Sequence, residues 1–193
     1  ATEMNQSVII GTGASKTGTN RARGNTVIGY NAGNDIAGDG DVSGVLDNGD
    51  NNVIVGASAG ANVSSGYSNV LLGAGAGSGL EGNHNNVAIG WNALDAANSA
   101  LENYNIAIGS NAMGNETSGA DYCVAIGAQA LATQDGNVIN TVIGGLAGAE
   151  LVNGTGNTLV GYEAGNQLDA GEAWNTFIGH GAGSNADGAA NNT

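Results

Sequence analysis

The chain has no proline, one cysteine and only three basic residues. A single cysteine, Cys123, excludes an intrachain disulfide. The three bases face 17 acidic residues, which gives a formal net charge of −14. Such a charge argues against binding to nucleic acid or to an anionic membrane surface, since phosphates would repel the chain. No run of about 18 apolar residues occurs, so the sequence predicts no membrane insertion.

Glycine and asparagine are abundant, with 36 and 28 copies among 193 residues. Both residues readily adopt the left-handed backbone angles of tight turns, so the composition predicts many turns. The hydrophobic content is 41% and recurs at regular intervals, which is not typical of disordered chains. Collagen is excluded, because proline is missing and glycine does not occupy every third position.

One short pattern recurs ten times, as in NTVIGYNAG, NNVAIG and NTLVGYEAG, and each copy is centred on a glycine. Eight of the nine spacings between these glycines are 17 to 19 residues, and the other is 27. A period this short is typical of a solenoid. The ten corner glycines are Gly11, Gly29, Gly56, Gly73, Gly90, Gly109, Gly127, Gly144, Gly161 and Gly179.

Fixed offsets from the corner glycine carry fixed residue types. The three preceding residues are apolar or threonine and rich in β-branched types, which predicts a short strand. The fourth residue before the glycine is Asn in eight of ten copies, and the third after it is always Ala. We therefore expect residues 1–193 to form one all-β domain, a parallel solenoid of about ten coils. Strands of successive coils would pair about 4.8 Å apart, with the Asn side chains forming a hydrogen-bonded ladder.

Each strand is apolar on both faces, which predicts burial of both faces. We assign the coil interior to the residue directly before the corner glycine. The residue two before it, such as Ala88, Ala107, Ala125 or Leu159, then faces outward and needs a cover, for which the simplest candidate is another copy of the chain. The predicted core residues are Ile28, Val55, Leu72, Ile89, Ile108, Ile126, Ile143, Val160 and Ile178.

The copies NNVAIG, YNIAIG and YCVAIG resemble the head repeats of YadA-like trimeric autotransporter adhesins. The copies NTVIGYNAG and NTLVGYEAG resemble repeats of phage tail fibres. The resemblance covers about residues 5 to 185 and implies a left-handed parallel β-roll that assembles as a homotrimer. The spacing here is longer than in the compact adhesin head, so larger outer loops are expected.

The 27-residue interval contains an acidic insert at 34–51. Its five carboxylates could hold Ca²⁺ through oxygen ligands, although no known calcium-loop pattern is present. Paired carboxylates could also cleave a glycan, and the simplest interpretation is a solvated loop. The candidate metal ligands are Asp35, Asp39, Asp41, Asp47 and Asp50.

Aromatic residues make up only 4% of the chain, yet most lie at two offsets from the corner glycine. These rings either cap a thin core or form a surface on which sugar rings or a receptor stack. Tyr30, Trp91, Tyr162 and His180 follow their glycines directly, whereas Tyr104, Tyr122 and Trp174 lie five residues before theirs.

Two segments resemble catalytic motifs but belong to the repeat. GASAG at 56–60 matches a nucleophile elbow, and GTGASKTG at 11–18 resembles a phosphate-binding loop without the required G-K-[ST] order. We therefore expect no enzyme and no required cofactor. The expected function is a rigid, trimeric, extracellular fibre segment of a surface adhesin or virion tail fibre, which presents a face to a host glycan or protein receptor. The alternatives are a secreted self-assembling filament and, less favoured, a glycan-binding or glycan-cleaving spike.

Overall fold

A computed structural model describes residues 6–16, 22–37, 49–96, 102–115, 119–136, 139–168, 171–186, 188 and 191–192. Within these ranges the secondary structure consists of ten three-residue strands and no helix. The strands are β1 Val8–Ile10, β2 Thr26–Ile28, β3 Val53–Val55, β4 Val70–Leu72, β5 Val87–Ile89, β6 Ile106–Ile108, β7 Val124–Ile126, β8 Thr141–Ile143, β9 Thr158–Val160 and β10 Thr176–Ile178.

The ten strands form one parallel sheet in chain order, from β1 to β10. Each strand pairs with the next in the register of the sequence repeat, so that Ala107 lies between Ala88 and Ala125. The predicted all-β parallel solenoid is confirmed, with one strand for each repeat. The described part of the chain offers no helix of the length and apolarity needed to cross a membrane.

The interior of the solenoid holds the middle residue of each strand. Ile54, Leu71, Ala107 and Leu159 are fully buried, together with most of the alanines three residues after the corner glycines, such as Ala130. These side chains pack in one continuous apolar core that runs the length of the sheet.

The assignment of the interior to the residue before the glycine is wrong. Of the nine predicted core residues, Ile143 and Ile178 are exposed by 40% and 70%. The other seven are half-buried, namely Ile28, Val55, Leu72, Ile89, Ile108, Ile126 and Val160. In a three-residue strand the first and last side chains share one face and the middle one takes the other. The interior of the coil has room for one strand side chain beside the alanine that follows the corner glycine, and the middle residue of the strand occupies it.

The corner glycines are required by the approach of successive coils. Gly127 has a φ of +137°, and a Cβ added there would lie 2.5 Å from the carbonyl carbon and oxygen of Gly144 in the next coil. Only a residue without Cβ can adopt this backbone angle and leave room for the neighbouring corner. The uniform glycine column is therefore a consequence of stacking.

The predicted asparagine ladder is present and fully buried. The backbone N–H of Asn69 donates to Asn52 Oδ1 at 2.9 Å, and that of Asn86 donates to Asn69 Oδ1 at 3.0 Å. Each amide group also donates to a carbonyl of the next coil, as Asn86 Nδ2 does to Glu102 O at 2.8 Å. The bonds thus join side chains chiefly to backbone groups, in both directions, which satisfies polar groups that enter the core before each strand.

Two kinds of coil fill the core in complementary ways. In β5, β6 and β7 the middle residue is Ala, and the fourth residue after the corner glycine is large and buried: Leu94, Met113 or Leu131. In β2, β3, β4, β8, β9 and β10 the middle residue is large and that fourth residue is Gly. A Cβ on Gly77 would lie 2.6 Å from Leu71 Cδ2. Either position can therefore supply the bulk of a coil, but the core lacks room for both.

Candidate functional site

The outer face of the sheet is apolar along its whole length. It carries the first and last residue of every strand, of which sixteen are Val, Ile or Leu and four are Thr. Val8, Ile10 and Val53 are exposed by 50%, 58% and 37%. Stacked neighbours shield most of the others, which are half-buried although they point outward. No charged residue stands on this face, so it is suited to contact with another apolar surface.

Aromatic residues border this face where the strands end. Tyr30, Trp91 and Tyr162 are exposed by 62%, 56% and 50%, and His180 is also exposed. The rings of Tyr162 and His180 stack at 5.5 Å between centroids. A hydrogen bond to Glu163, reinforced by its negative charge, raises the pKa of the Tyr162 phenol. These rings stand in solvent and do not cap the core.

A second aromatic row borders the face where the strands begin. Tyr67 stacks on His84 at 4.6 Å, His84 meets Tyr104 edge-on at 5.6 Å, and Tyr104 stacks on Tyr122 at 4.9 Å. The sequence interpretation missed Tyr67 and His84, which lie six residues before their corner glycines. The two residues are 17 positions apart, which equals the repeat, and this spacing could have identified them as one row.

Several rings of this second row sit on strained backbone. Tyr104, Tyr122 and Trp174 have φ values of 61°, 59° and 60°, where L-residues other than Gly, Asn and Asp are uncommon. The same column holds Gly24, Asn51 and Ser68 in other coils. Tyr104, Tyr122 and Trp174 are exposed by 46%, 57% and 62%. The seven predicted binding residues are thus all exposed, but they form two rows on opposite borders of the sheet.

The acidic insert is only partly described. Asp39, Asp41 and Asp47 lie outside the described residues, so the calcium hypothesis stays a prediction. Within the insert, Asp50 Oδ1 accepts the backbone N–H of Arg23 at 2.6 Å. Outside the insert, Asp121 Oδ1 accepts the backbone N–H of Asn103 at the same distance. Asp35 is exposed. Within the described ranges, no group of three or more His, Cys, Asp or Glu side chains is placed to hold a metal ion.

A polar pocket is lined by residues two to six positions after the corner glycines, across the coils of β5, β6 and β7. Its volume is about 240 Å³. Asn92, Asn111 and Gln129 occupy the same offset, two residues after their glycines, and therefore stack along the pocket. Burial raises the pKa of the Asp95 carboxyl, an effect partly offset by a hydrogen bond from its own backbone. The lining residues are Asn92, Asp95, Asn111, Gly114, Asn115, Gln129 and Ala132.

The stacked amides of the pocket are held by the backbone of the corners. The N–H of Asn111 donates to Trp91 O at 2.9 Å, and that of Gln129 donates to Ser110 O at 2.9 Å. Asn92, Asn111 and Gln129 all have positive φ, at 49°, 53° and 57°. Their side chains therefore leave the coil at the same angle, which produces a regular polar row that the sequence interpretation did not identify.

Comparisons of the chain with family models, with curated proteins and with solved structures find no match.

Proposed function

We propose that the chain is a structural fibre segment that assembles with two further copies through its outer sheet face. The rod so formed presents its remaining surfaces to a host or environmental target, as an adhesin or a tail fibre does. The observation that carries the proposal is the uncharged aliphatic face built from all ten strands, from Val8 to Ile178. Apolar patches of this extent on soluble proteins usually mark interaction sites.

Another copy of the chain fits this face better than an unrelated partner does. The face repeats at the strand spacing of about 4.8 Å, and a second copy has the same period. Side-chain rows of one copy can therefore lie in the grooves of another along the whole sheet. The strand positions of this face carry no charged residue, so contact there buries no charged side chain.

The dimensions of the face favour more than two copies. Ten strands at about 4.8 Å and three residues at about 3.3 Å give roughly 500 Å² per chain. Two chains joined face to face would bury about 1,000 Å² in total, the lower limit for a specific interface. In a trimer each chain contacts two neighbours, so the buried area can exceed that limit. The resemblance of the NNVAIG copies to trimeric adhesin heads supports the same number.

The mass of the purified chain in solution tests the assembly. At micromolar concentration, multi-angle light scattering should give about three times the chain mass of 18.7 kDa. A uniform species at the mass of one chain would overturn the proposal. A mass that grows continuously with concentration would overturn the trimer and support the filament instead.

Exposure of the face provides an independent measurement on the same samples. Hydrophobic dyes should bind weakly to the assembled chain, because the aliphatic face is covered. They should bind strongly to a folded chain that is substituted on this face and does not assemble, because its face is open. A control substitution on the far surface, Glu150→Gln, should alter neither mass nor dye binding, since Glu150 is exposed and lies away from the sheet. Strong dye binding by a chain of trimer mass would show that another surface makes the contact.

A further inference from the structure

We propose that the pocket across the coils of β5, β6 and β7 binds a neutral saccharide. This inference rests on the proposed role of the rod as a carrier of binding surfaces, and it names the ligand class and the site. The side chains that would contact the ligand are the amides of Asn92, Asn111 and Gln129 and the carboxylate of Asp95.

The chemistry of the lining matches a ring that bears several hydroxyl groups. Each side-chain amide offers one acceptor oxygen and a two-proton donor, and a carboxylate accepts from two hydroxyls. A sugar hydroxyl both donates and accepts, so adjacent hydroxyls can be bonded by one amide and the carboxylate together. Within the described ranges, the side chains of Asn92, Asn111 and Gln129 make no hydrogen bond to another described residue, so their polar atoms are open to a ligand.

An exposed aromatic residue adjoins these amides in the sequence. Trp91 directly precedes Asn92 and is exposed by 56%. The residues at the same offset in the two neighbouring coils are Ala74 and Ser110, so no aromatic ring of the described residues stacks on the indole at this offset. By contrast, Tyr67, Tyr104 and Tyr122 already stack on other rings. An indole combines an apolar face, on which the C–H groups of a sugar ring can stack, with an N–H that can donate to a sugar hydroxyl.

The size and charge of the pocket narrow the ligand further. A volume of about 240 Å³ lies below the range of roughly 300–1,000 Å³ that encloses drug-sized ligands. It suits one ring of a longer chain that continues into solvent. Asp95 and the net charge of −14 would repel acidic sugars, so neutral hexoses and N-acetylhexosamines are the expected class.

Tryptophan fluorescence tests the site directly. In a Trp174→Phe chain, Trp91 is the only indole left and reports on its surroundings. Titration with glucose, galactose, N-acetylglucosamine and their short β-linked oligomers should give a saturable change with at least one neutral sugar and none with sialic acid. The absence of a saturable change with every neutral probe would overturn the proposal.

Variants locate the binding on the pocket. Asp95→Ala and Gln129→Ala should each weaken the affinity at least tenfold, whereas Glu150→Ala removes an acid elsewhere and should leave it unchanged. Binding that persists in both pocket variants would also contradict the site. Light scattering on the same samples separates the two proposals: a trimer that binds no sugar contradicts only the pocket, and a monomer that binds sugar contradicts only the assembly.

Discussion

The thiol of Cys123 accepts the backbone N–H of Asn140 at 3.5 Å, at a position where neighbouring coils present an asparagine amide oxygen. On one side Asn105 Oδ1 accepts the N–H of Cys123 at 2.9 Å, and on the other Asn140 Oδ1 accepts that of Asn157 at 2.8 Å. Sulfur is a weak acceptor, so this is the weakest step observed in the ladder.

Replacement of the cysteine should therefore repair the ladder. Cys123→Asn is expected to stabilise the fold by about 1 kcal/mol, the net value of a typical hydrogen bond. Cys123→Ala should destabilise it, because the buried Asn140 N–H loses its acceptor. Thermal unfolding at equal protein concentration measures both, and an Asn variant that melts below the native chain would contradict the role assigned to the ladder.

The corner column allows a matched pair of glycine substitutions. Gly127 and Gly179 have similar φ values of +137° and +130°, but a Cβ on Gly179 would meet only Ala182 Cβ at 3.9 Å. Gly179→Ala should cost roughly 1–3 kcal/mol from backbone strain alone. Gly127→Ala adds a clash with the Gly144 carbonyl and should cost clearly more. Equal melting temperatures would show that stacking does not impose the glycine.

The complementary filling of the core predicts coupling between Ala125 and Leu131. Leu131→Gly should leave a cavity and Ala125→Leu should overpack the coil, at costs of about 2–5 and 1–3 kcal/mol. Together they recreate the arrangement of the β9 coil, where Leu159 is paired with Gly165. The free energy of unfolding of the double variant should thus exceed the value expected from adding the two single effects by about 1–3 kcal/mol.

A control pair keeps that double-mutant cycle interpretable. Ala125→Leu combined with Leu94→Gly changes two coils that are not adjacent. Their effects on the free energy of unfolding should add within about 0.5 kcal/mol. If both pairs are additive, the two kinds of coil do not reflect shared volume.

Asp95 links stability to pH. Because burial raises its pKa in the folded chain, the protonated form favours folding, and this contribution is lost as the pH rises through the raised value. Asp95→Asn should therefore raise the melting temperature at pH 7 and have little effect near pH 3, below the ordinary pKa of about 3.9. The same gain at both pH values would contradict the assigned cause.

The repeat made most of the backbone predictable, because one spacing places each strand, corner and buried asparagine. The interior face was not predictable from Ile126 or Ala125 alone, since six of the ten strands, including theirs, are apolar at all three positions. The informative residues were Thr26, Thr141 and Thr158, whose hydroxyls favour the outer face. The paired appearance of Ala at the strand centre and Leu or Met near the corner was a second signal.

The candidate sites were predictable only in part. Trp91 and Tyr30 stood out because aromatic residues are rare in the chain. The pocket did not, because Asn92, Asn111 and Gln129 share their offset with glycine, serine and glutamate in other coils. The pocket forms where three successive coils carry amide side chains at this offset. A spacing pattern does not show which of these amides lack hydrogen-bond partners within the described chain.

The most direct test of the account is the mass of the Ile126→Asp chain by light scattering, with Ala125→Asp as its matched control. Ile126 lies on the outer face and Ala125 is fully buried in the core. An aspartate in the core is an unpaired buried charge, so Ala125→Asp should abolish cooperative unfolding. The Ile126→Asp chain should stay folded and give the mass of one chain, 18.7 kDa. An Ile126→Asp chain that keeps the native mass, or that unfolds as Ala125→Asp does, would contradict assembly through this face.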